Sequence, residues 1–292
     1  MCEKLLSVVV VTYNSSKDIY ACLDSLFKNN DIGNSLEVII VDNNSADCDA
    51  MLENIKIFQD KNISVLFNYR NGGYGQGNNL GIEAATSPII MVMNPDVRLF
   101  RPIFKDAIKH FTDENLGILG MQQCEKEGVH RQSFLPLQPS VMGLLWYKIY
   151  EWRHKYSSRK FCIHGSCFFI RRKAIEEIGR FDENIFLYNE EMDIHCRLLR
   201  SNKYTVKFDK NLFYIHPMHN RKETVKELKQ RFATYLYVCE KMCFSQYDAV
   251  SKYINLYRLY ILRSLLKRDK LAYDVYCTFY TYLLHQKKVL KN

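Results

Sequence analysis

Four short apolar runs, each breaking off on polar residues and each separated from the next by helix-patterned sequence, constrain this chain most. Leu5 to Thr12 is a continuous Val-rich run, and Glu37 to Val41, Ile63 to Phe67 and Ile89 to Met93 repeat the pattern. Unbroken apolar runs of this length read as strands covered on both faces. Behind the first, Ile19, Cys22, Leu23, Leu26 and Phe27 recur at helical spacing after Ser15 or Ser16, either a natural N-cap. A second helix runs through about Phe58 and a third through Ala85. Strand and helix in alternation predict an α/β fold with a mostly parallel, helix-covered sheet. A helix from about Arg101 to Phe111 and a strand at Leu116 to Met121 complete the predicted core.

Composition narrows the partners. At 292 residues the chain can form one large domain, or a domain with an appendage. Lys and Arg number 41 against 32 Asp and Glu, a net charge of +9 that suits a nucleotide diphosphate, an acidic membrane surface or nucleic acid. Nucleic acid is the weakest of these, because the basic residues concentrate in aromatic carboxyl-terminal helices and not along a groove-like face. The 10 cysteines include no Cys-x-x-Cys pair and no His at zinc-finger spacing, which argues against a disulfide framework or structural zinc. With no secretory pattern at the amino terminus and too few successive apolar residues to span a bilayer, the expected compartment is the reduced cytoplasm.

Chemistry-bearing residues cluster where the runs stop. Thr12 to Asn14 and Asp42 to Ser45 should lie side by side on one edge of the sheet, where Asp42 could accept hydrogen bonds from a base imide or ribose hydroxyls; both stretches also read as ordinary helix caps. Arg70-Asn71-Gly72-Gly73-Tyr74-Gly75-Gln76-Gly77-Asn78-Asn79 opens a helix, and such glycines let backbone amides approach an anion at a positive helix end. The spacing is neither a dinucleotide fingerprint nor a P-loop. The fourth run ends on Asn94-Pro95-Asp96, where Pro95 stops the strand and leaves Asp96 at the carboxyl edge, the usual ligand side of such sheets; the tripeptide is equally a common turn. Further on, Glu190, Glu191 and Asp193 crowd three carboxylates into four positions at a helix start. That suits either the helix dipole or a general base whose pKa is raised by like charge.

Val-Val-Val-Thr-Tyr-Asn at 9 to 14, Val-Asp-Asn-Asn-Ser at 41 to 45, Asn-Gly-Gly-Tyr-Gly-Gln-Gly-Asn-Asn at 71 to 79 and Asn-Pro-Asp-Val at 94 to 97 resemble, in order and spacing, the family 2 glycosyltransferases of GT-A fold. The similarity is greatest to the branch with bacterial rhamnosyltransferases and galactofuranosyltransferases. It continues through Gly165 to Arg171, Gly179-Arg180-Phe181-Asp182-Glu183 and Glu190 to Asp193, and covers about residues 5 to 220. The resemblance implies that Asp96 holds a divalent metal, Mg²⁺ or Mn²⁺, bridging the donor diphosphate, with Asn94 in place of the first Asp of an Asp-x-Asp motif. It implies that Glu191 is the base that deprotonates the acceptor, with Glu190 and Asp193 beside it. It also implies that a His after the last strand, His216 ahead of His219, ligates the metal or touches the diphosphate. Thr12, Asn14, Asp42, Asn43, Arg70, Asn71, Gly72, Gly73, Gly77, Asn78 and Asn94 are the expected nucleotide-binding set.

The expected organisation is a catalytic domain over 1–220, with a nucleotide-binding half at 1–97 and an acceptor half at 98–220, and a helical appendage over 221–292. Residues 122–163, with Trp146, Tyr147, Tyr150 and Trp152, read as an insertion or lid whose aromatics either offer faces to a sugar or lipid carrier or simply pack. In the appendage, basic residues beside Tyr-rich apolar faces suit a helix lying on the inner face of the membrane, or a packed cap or homodimer contact. The function expected is inverting transfer of a sugar from dTDP-rhamnose or a UDP-sugar to a glycan or lipid-linked acceptor. Its rivals are a catalytically silent sugar-nucleotide-binding subunit and a sugar nucleotidyltransferase.

Overall fold

The computed structural model describes residues 3–217 and 222–291. They gather into two compact units, one from residues 3–134 and 163–217, the other from 135–162 and 222–291. The segment 135–162, expected in the acceptor half, thus belongs with the carboxyl-terminal helices.

In the first unit β1 (Leu6–Thr12), α1 (Ser16–Lys28), β2 (Leu36–Asp42), α2 (Cys48–Ile55), β3 (Ile63–Phe67), α3 (Gly73–Ala84), β4 (Ile89–Met93), α4 (Phe104–His110) and β5 (Leu116–Lys126) follow in the expected alternation. Further along come β6 (Val129–His130), β7 (Phe134–Pro136), α5 (Val141–Trp152), β8 (Phe161–Ile163), β9 (Cys167–Arg171), α6 (Arg172–Glu177), α7 (Glu190–Arg200) and β10 (Thr205–Ile215). The sheet runs β10-β5-β9-β4-β1-β2-β3, with β6 turned back on β5. Among its longer strands only β9 is antiparallel to its neighbours. Leu6, Val8, Val10, Met91 and Met93 on the central strands are buried with Ile19, Leu23 and Leu26 of α1, which explains their unbroken apolar sequence.

Four details differ from the expectation. The alternation did not foretell β9, a buried run that closes the gap between β4 and β5 and is anchored by Arg171, whose guanidinium donates to Leu116 O, Phe111 O and Asp113 O. α4 starts at Phe104, past Arg101, because Pro102 biases the residue before it away from helix. Residues 203–208 and 212–215, each with the sequence pattern of a separate short strand, instead contribute to one strand, β10, with an irregularity between Asp209 and Phe213. Residues 122–163 hold the end of β5, its hairpin with β6, the β7–β8 ribbon and the twelve-residue helix α5.

The second unit joins α5 to α8 (Val225–Lys241), α9 (Gln246–Leu266) and α10 (Lys270–Val289). Ser140, Thr224, Ser245 and Asp269 each cap their helix by accepting the amide three residues on, and Thr224 with Glu227 forms a reciprocal capping box. Phe232 packs at 4.8 Å from Tyr253 and 5.9 Å from Phe279, and Tyr257 at 4.7 Å from Phe279, so an aromatic core holds α8, α9 and α10 together. Among the described residues no helix is long and apolar enough to cross a membrane.

Candidate active site

The parallel register puts Thr12 opposite Asp42 and Asp42 opposite Phe67, so β1, β2 and β3 finish level. At the two polar turns beyond, Asn14 and Asn44 adopt left-handed conformations, with φ of 51° and 62°. Asn tolerates this better than most residues because its short side chain can bond locally. Asn14 N–H donates to Ser45 Oγ at 2.9 Å and Ala46 N–H to Asn14 Oδ1 at 2.9 Å, stitching the turns together. Asp42 is only 3 % exposed and already accepts from Thr12 Oγ1 (3.3 Å) and Ser45 N–H (3.0 Å). It acts here as the turn's organiser, whereas Tyr13, Asn14 and Asn44 are the groups exposed at this edge.

Asn43 has a similar internal role. Buried at the end of β2, it donates to Asn71 Oδ1 (3.1 Å) and Gly73 O (2.9 Å) and accepts from Asn68 (2.7 Å). The glycines that open α3 let it approach the sheet: a Cβ on Gly77 would stand 2.6 Å from Val11 Cγ1, and one on Gly81 2.3 Å from Val9 Cγ1. Gly73 has φ of +88° and passes the Phe186 carbonyl where no Cβ could fit. Two of the amides expected to face an anion are taken, Gly73 N–H by Asn71 Oδ1 (3.0 Å) and Tyr74 N–H by Phe186 O (3.0 Å). Asn78 is buried and donates to Tyr74 O, and Arg70 is exposed beside the loop.

The Asn94–Asp96 turn follows β4, closed by Val97 N–H on Asn94 O. Reciprocal 2.8 Å hydrogen bonds between Arg98 and Ile215 then draw the end of β10 alongside, and His216 N–H donates to Cys124 O. Together these bring His216 Nε2 to 3.2 Å from Asp96 Oδ2 across 120 residues of sequence, with both side chains partly exposed. His219 lies outside the described residues. The His164 ring stands edge-on to His216 with centroids 6.0 Å apart. Burial, with His216 alongside, pushes His164 down to about 4, against the opposing pull of Asp96. The ring is therefore neutral at pH 7, and with Nδ1 accepting from Ser166 N–H it carries its proton on Nε2. Ser166 continues inward to Tyr214 and Gln123 in a buried hydroxyl–amide network, while its carbonyl accepts Asn94 N–H.

Glu191 of α7 meets the His164–Ser166 turn. The Glu191 carboxyl lies against Gly165, 3.5 Å from where a Cβ would be, and Tyr74 Oη donates to Gly165 O at 2.6 Å. Tyr188 and Asn189, with φ of 76° and 66°, set up this helix start, and a left-handed tyrosine is a strained feature of the kind found at functional sites. Glu190 is 5 % exposed, its Oε1 lacks a hydrogen-bond partner, and burial with Glu191 alongside pushes it up to about 8. Asp193 is fully buried and paired with Arg197, which also donates to Ile178 O and Arg180 O. That pair fastens α7 to the loop before it, leaving Glu191 as the α7 acid set against the turn. Asn79 clamps the same loop by pairing with both Phe181 N–H and Phe181 O.

His164, Ser166, Gln123 and Tyr214 are the members that sequence reasoning missed as a group. They come from three separate strand regions, and only the His-Gly-Ser at 164–166 hinted at polarity inside an apolar stretch. In the second unit Tyr147 and Tyr150 turn inward onto Phe161, so of the four aromatics expected to offer open faces only Trp146 and Trp152 are exposed.

The Asp96–His216 pair suits a divalent ion. Two donors at adjacent positions of a six-coordinate ion, with bonds of about 2.1 Å, stand about 3.0 Å apart, close to the 3.2 Å observed. No cluster of three or more metal-ligating side chains exists among the described residues, so other ligands would come from a diphosphate and water, as Mg²⁺ and Mn²⁺ accept.

Comparison with known proteins gives a concordant result. The glycosyl transferase family 2 model matches residues 7–179, more than half of the chain. The low-salt glycan biosynthesis hexosyltransferase Agl10 of Haloferax volcanii is 25% identical over 206 residues, 68% of this chain. The match spans 62% of that protein's length. The N-acetylglucosaminyl-diphospho-decaprenol L-rhamnosyltransferase of Mycobacterium tuberculosis is 26% identical over 222 residues, 66% of this chain and 70% of that one. Among solved structures, the mannosyltransferase PcManGT of Pyrobaculum calidifontis in complex with GDP-Man and Mn²⁺ superposes with a TM-score of 0.63 at 16% identity, over 97% of this chain and 86% of that one. TarS 1-349 of S. aureus in complex with UDP gives 0.55 at 17% identity, over 91% and 73%. On the family match and the shared GT-A architecture, this chain belongs to glycosyl transferase family 2.

Proposed function

We propose that the protein is an inverting glycosyltransferase that moves a sugar from a nucleotide-diphosphate donor, dTDP-rhamnose or a UDP-sugar, to a glycan or lipid-linked acceptor in cell-surface polysaccharide synthesis. The observation that carries this reading is one turn, His164 to Ser166, that meets both the Asp96–His216 pair, through His164, and Glu191, through Gly165. One relative named for glycan biosynthesis and another named as an N-acetylglucosaminyl-diphospho-decaprenol L-rhamnosyltransferase support the biological setting.

The donor nucleotide lies along the level ends of β1 and β2, against exposed Tyr13 and Asn14, and Arg70 meets the diphosphate. Asp96 and His216 would hold a Mg²⁺ or Mn²⁺ there, which would supply positive charge to offset the negative charge of the departing diphosphate. Asn94 positions the turn that carries Asp96. Glu191 accepts the acceptor hydroxyl proton as that oxygen forms its bond to the anomeric carbon and the bond to the diphosphate oxygen breaks. One displacement inverts the anomeric centre. Glu190, pushed up to about 8 by burial with Glu191 alongside, keeps its own proton at pH 7 and is a poor rival for the role of base.

The test is binding of UDP-, dTDP- and GDP-sugars by titration calorimetry with Mn²⁺, Mg²⁺ or chelator, followed by turnover of the chain and of Glu191→Gln. One nucleotide class should bind, more tightly with metal, and Glu191→Gln should lose transfer by roughly 10²–10⁴-fold while keeping donor affinity. No binding across the panel refutes the nucleotide site. Full transfer by Glu191→Gln removes that residue from its role, and binding without product from any acceptor supports a silent binding subunit instead.

A further inference from the structure

The outer face of α5 is apolar where a helix of a water-exposed unit ordinarily presents charge. Met142 is 55% exposed, Leu145 51% and Trp152 79%, with Val141 and Trp146 exposed beside them. Positions 141, 142, 145, 149 and 152 fall on one stripe at spacings of three and four. The inward side is satisfied separately, because Tyr147 and Tyr150 pack edge-on against Phe161 and Tyr147 Oη bonds Glu151. Along this stripe and just past it stand Lys148, Arg153, Lys155, Arg159 and Lys160, opposed between residues 141 and 160 by Glu151 alone. Lys160 Nζ lies 4.2 Å from the centroid of the Trp146 ring.

We propose that α5 is an in-plane docking helix for an anionic lipid bilayer, entering the headgroup region with Met142, Leu145 and the two tryptophans while the basic residues meet lipid phosphates. The geometry of an exposed aliphatic stripe rimmed by cations, with tryptophans at its edge, fits a bilayer interface. A second copy of the chain fits poorly, since a two-fold contact would set two faces of net positive charge against each other. A glycan fits poorly too, because Val141, Met142 and Leu145 offer it no hydrogen bonds.

The chain supplies its own reporter, because its 2 tryptophans, Trp146 and Trp152, are both on α5. Vesicles of phosphatidylglycerol and phosphatidylcholine are titrated into the full chain while tryptophan emission is followed, then repeated with brominated acyl chains. Expected are a blue shift and quenching by bromine, with little of either on pure phosphatidylcholine. Met142→Ser with Leu145→Ser, which keeps both tryptophans, should lose most of the shift. Arg153→Gln with Lys155→Gln should weaken partitioning by roughly 25- to 30-fold, about fivefold for each cation removed. No bromine quenching, or equal quenching on phosphatidylcholine, overturns the proposal. So does a blue shift that grows with protein concentration in the absence of lipid and tracks a doubled mass in light scattering, which would assign the face to a second copy.

Discussion

Glu190 opens α7 at 5 % exposure with Oε1 unbonded, and burial together with the Glu191 charge pushes its carboxyl up to about 8. The unfolded chain releases that proton near the ordinary 4.5, so between the two values the native state binds more protons than the unfolded one. Stability from this group is therefore complete below about 4.5 and lost as pH rises through 8. At about 1.4 kcal/mol per unit, the loss between pH 5 and pH 7 comes to about 2–3 kcal/mol. Glu190→Gln keeps the shape and cannot ionise, so it removes this slope. Subtracting wild type from variant cancels other titrating groups, apart from the coupling to Glu191. Urea unfolding followed by circular dichroism at pH 5, 6 and 7 should show the variant gaining about 2–3 kcal/mol on wild type across that range. A constant gap would mean that Glu190 ionises normally in the native state, and its exclusion as the base would lose its ground.

Asp96→Ala should abolish the metal-dependent part of nucleoside-diphosphate binding in calorimetry while the metal-free part survives; an unchanged response to Mn²⁺ would place the ion elsewhere. Arg197→Ala strands the buried Asp193 carboxylate and should cost about 3–5 kcal/mol, measured by denaturant unfolding at pH 7, whereas replacing a surface cation such as Lys28 should leave the midpoint nearly unchanged. Gly73→Ala puts a Cβ 2.1 Å from Phe186 O at a φ of +88° and should cost clearly more than Gly33→Ala, where φ is +56° and nothing lies within 4 Å. Gly33→Ala bears only the left-handed penalty of about 1–2 kcal/mol, so equal melting shifts for the two would refute the steric argument.

The parallel half of the sheet was legible because burial on both faces writes itself into sequence as unbroken apolar runs, and Ile63–Phe67 and Ile89–Met93 fall at the expected bounds. β9 was not, because a single antiparallel strand breaks the alternation that guided the reading. The meeting of Asp96 with His216 depends on the Arg98–Ile215 bridge and on β10 lying beside β5, pairings between distant residues that leave no local pattern. Asp193 carried the same signal as Glu190 and Glu191, three acids at a helix start. Only the position of Arg197 one turn later, under the carbonyls of Ile178 and Arg180, separates an anchor from its neighbours.

A division of labour emerges among the polar residues of the sheet's carboxyl edge. Asp42, Asn43, Asn71 and Asn79 resemble ligand groups in sequence, yet in the fold they bond chiefly to one another and to backbone, fixing four loops from β1, β2, α3 and the segment before α7. The glycines of α3 serve the same end by letting the helix sit within a methyl's breadth of Val9 and Val11. Groups held this way need little reorganisation when charge develops nearby, which is how a polar site gains strength over water. The exposed or partly exposed residues on that rim are Tyr13, Asn14, Arg70, Asp96, His216 and Glu191. They span an aromatic face, a cation, an Asp–His pair proposed to hold a metal ion, and a carboxylate. A donor nucleotide, its diphosphate and an acceptor hydroxyl call for those four chemistries, and an Asp42 or Asn43 variant should therefore fail through disordered loops before it fails through a lost ligand contact.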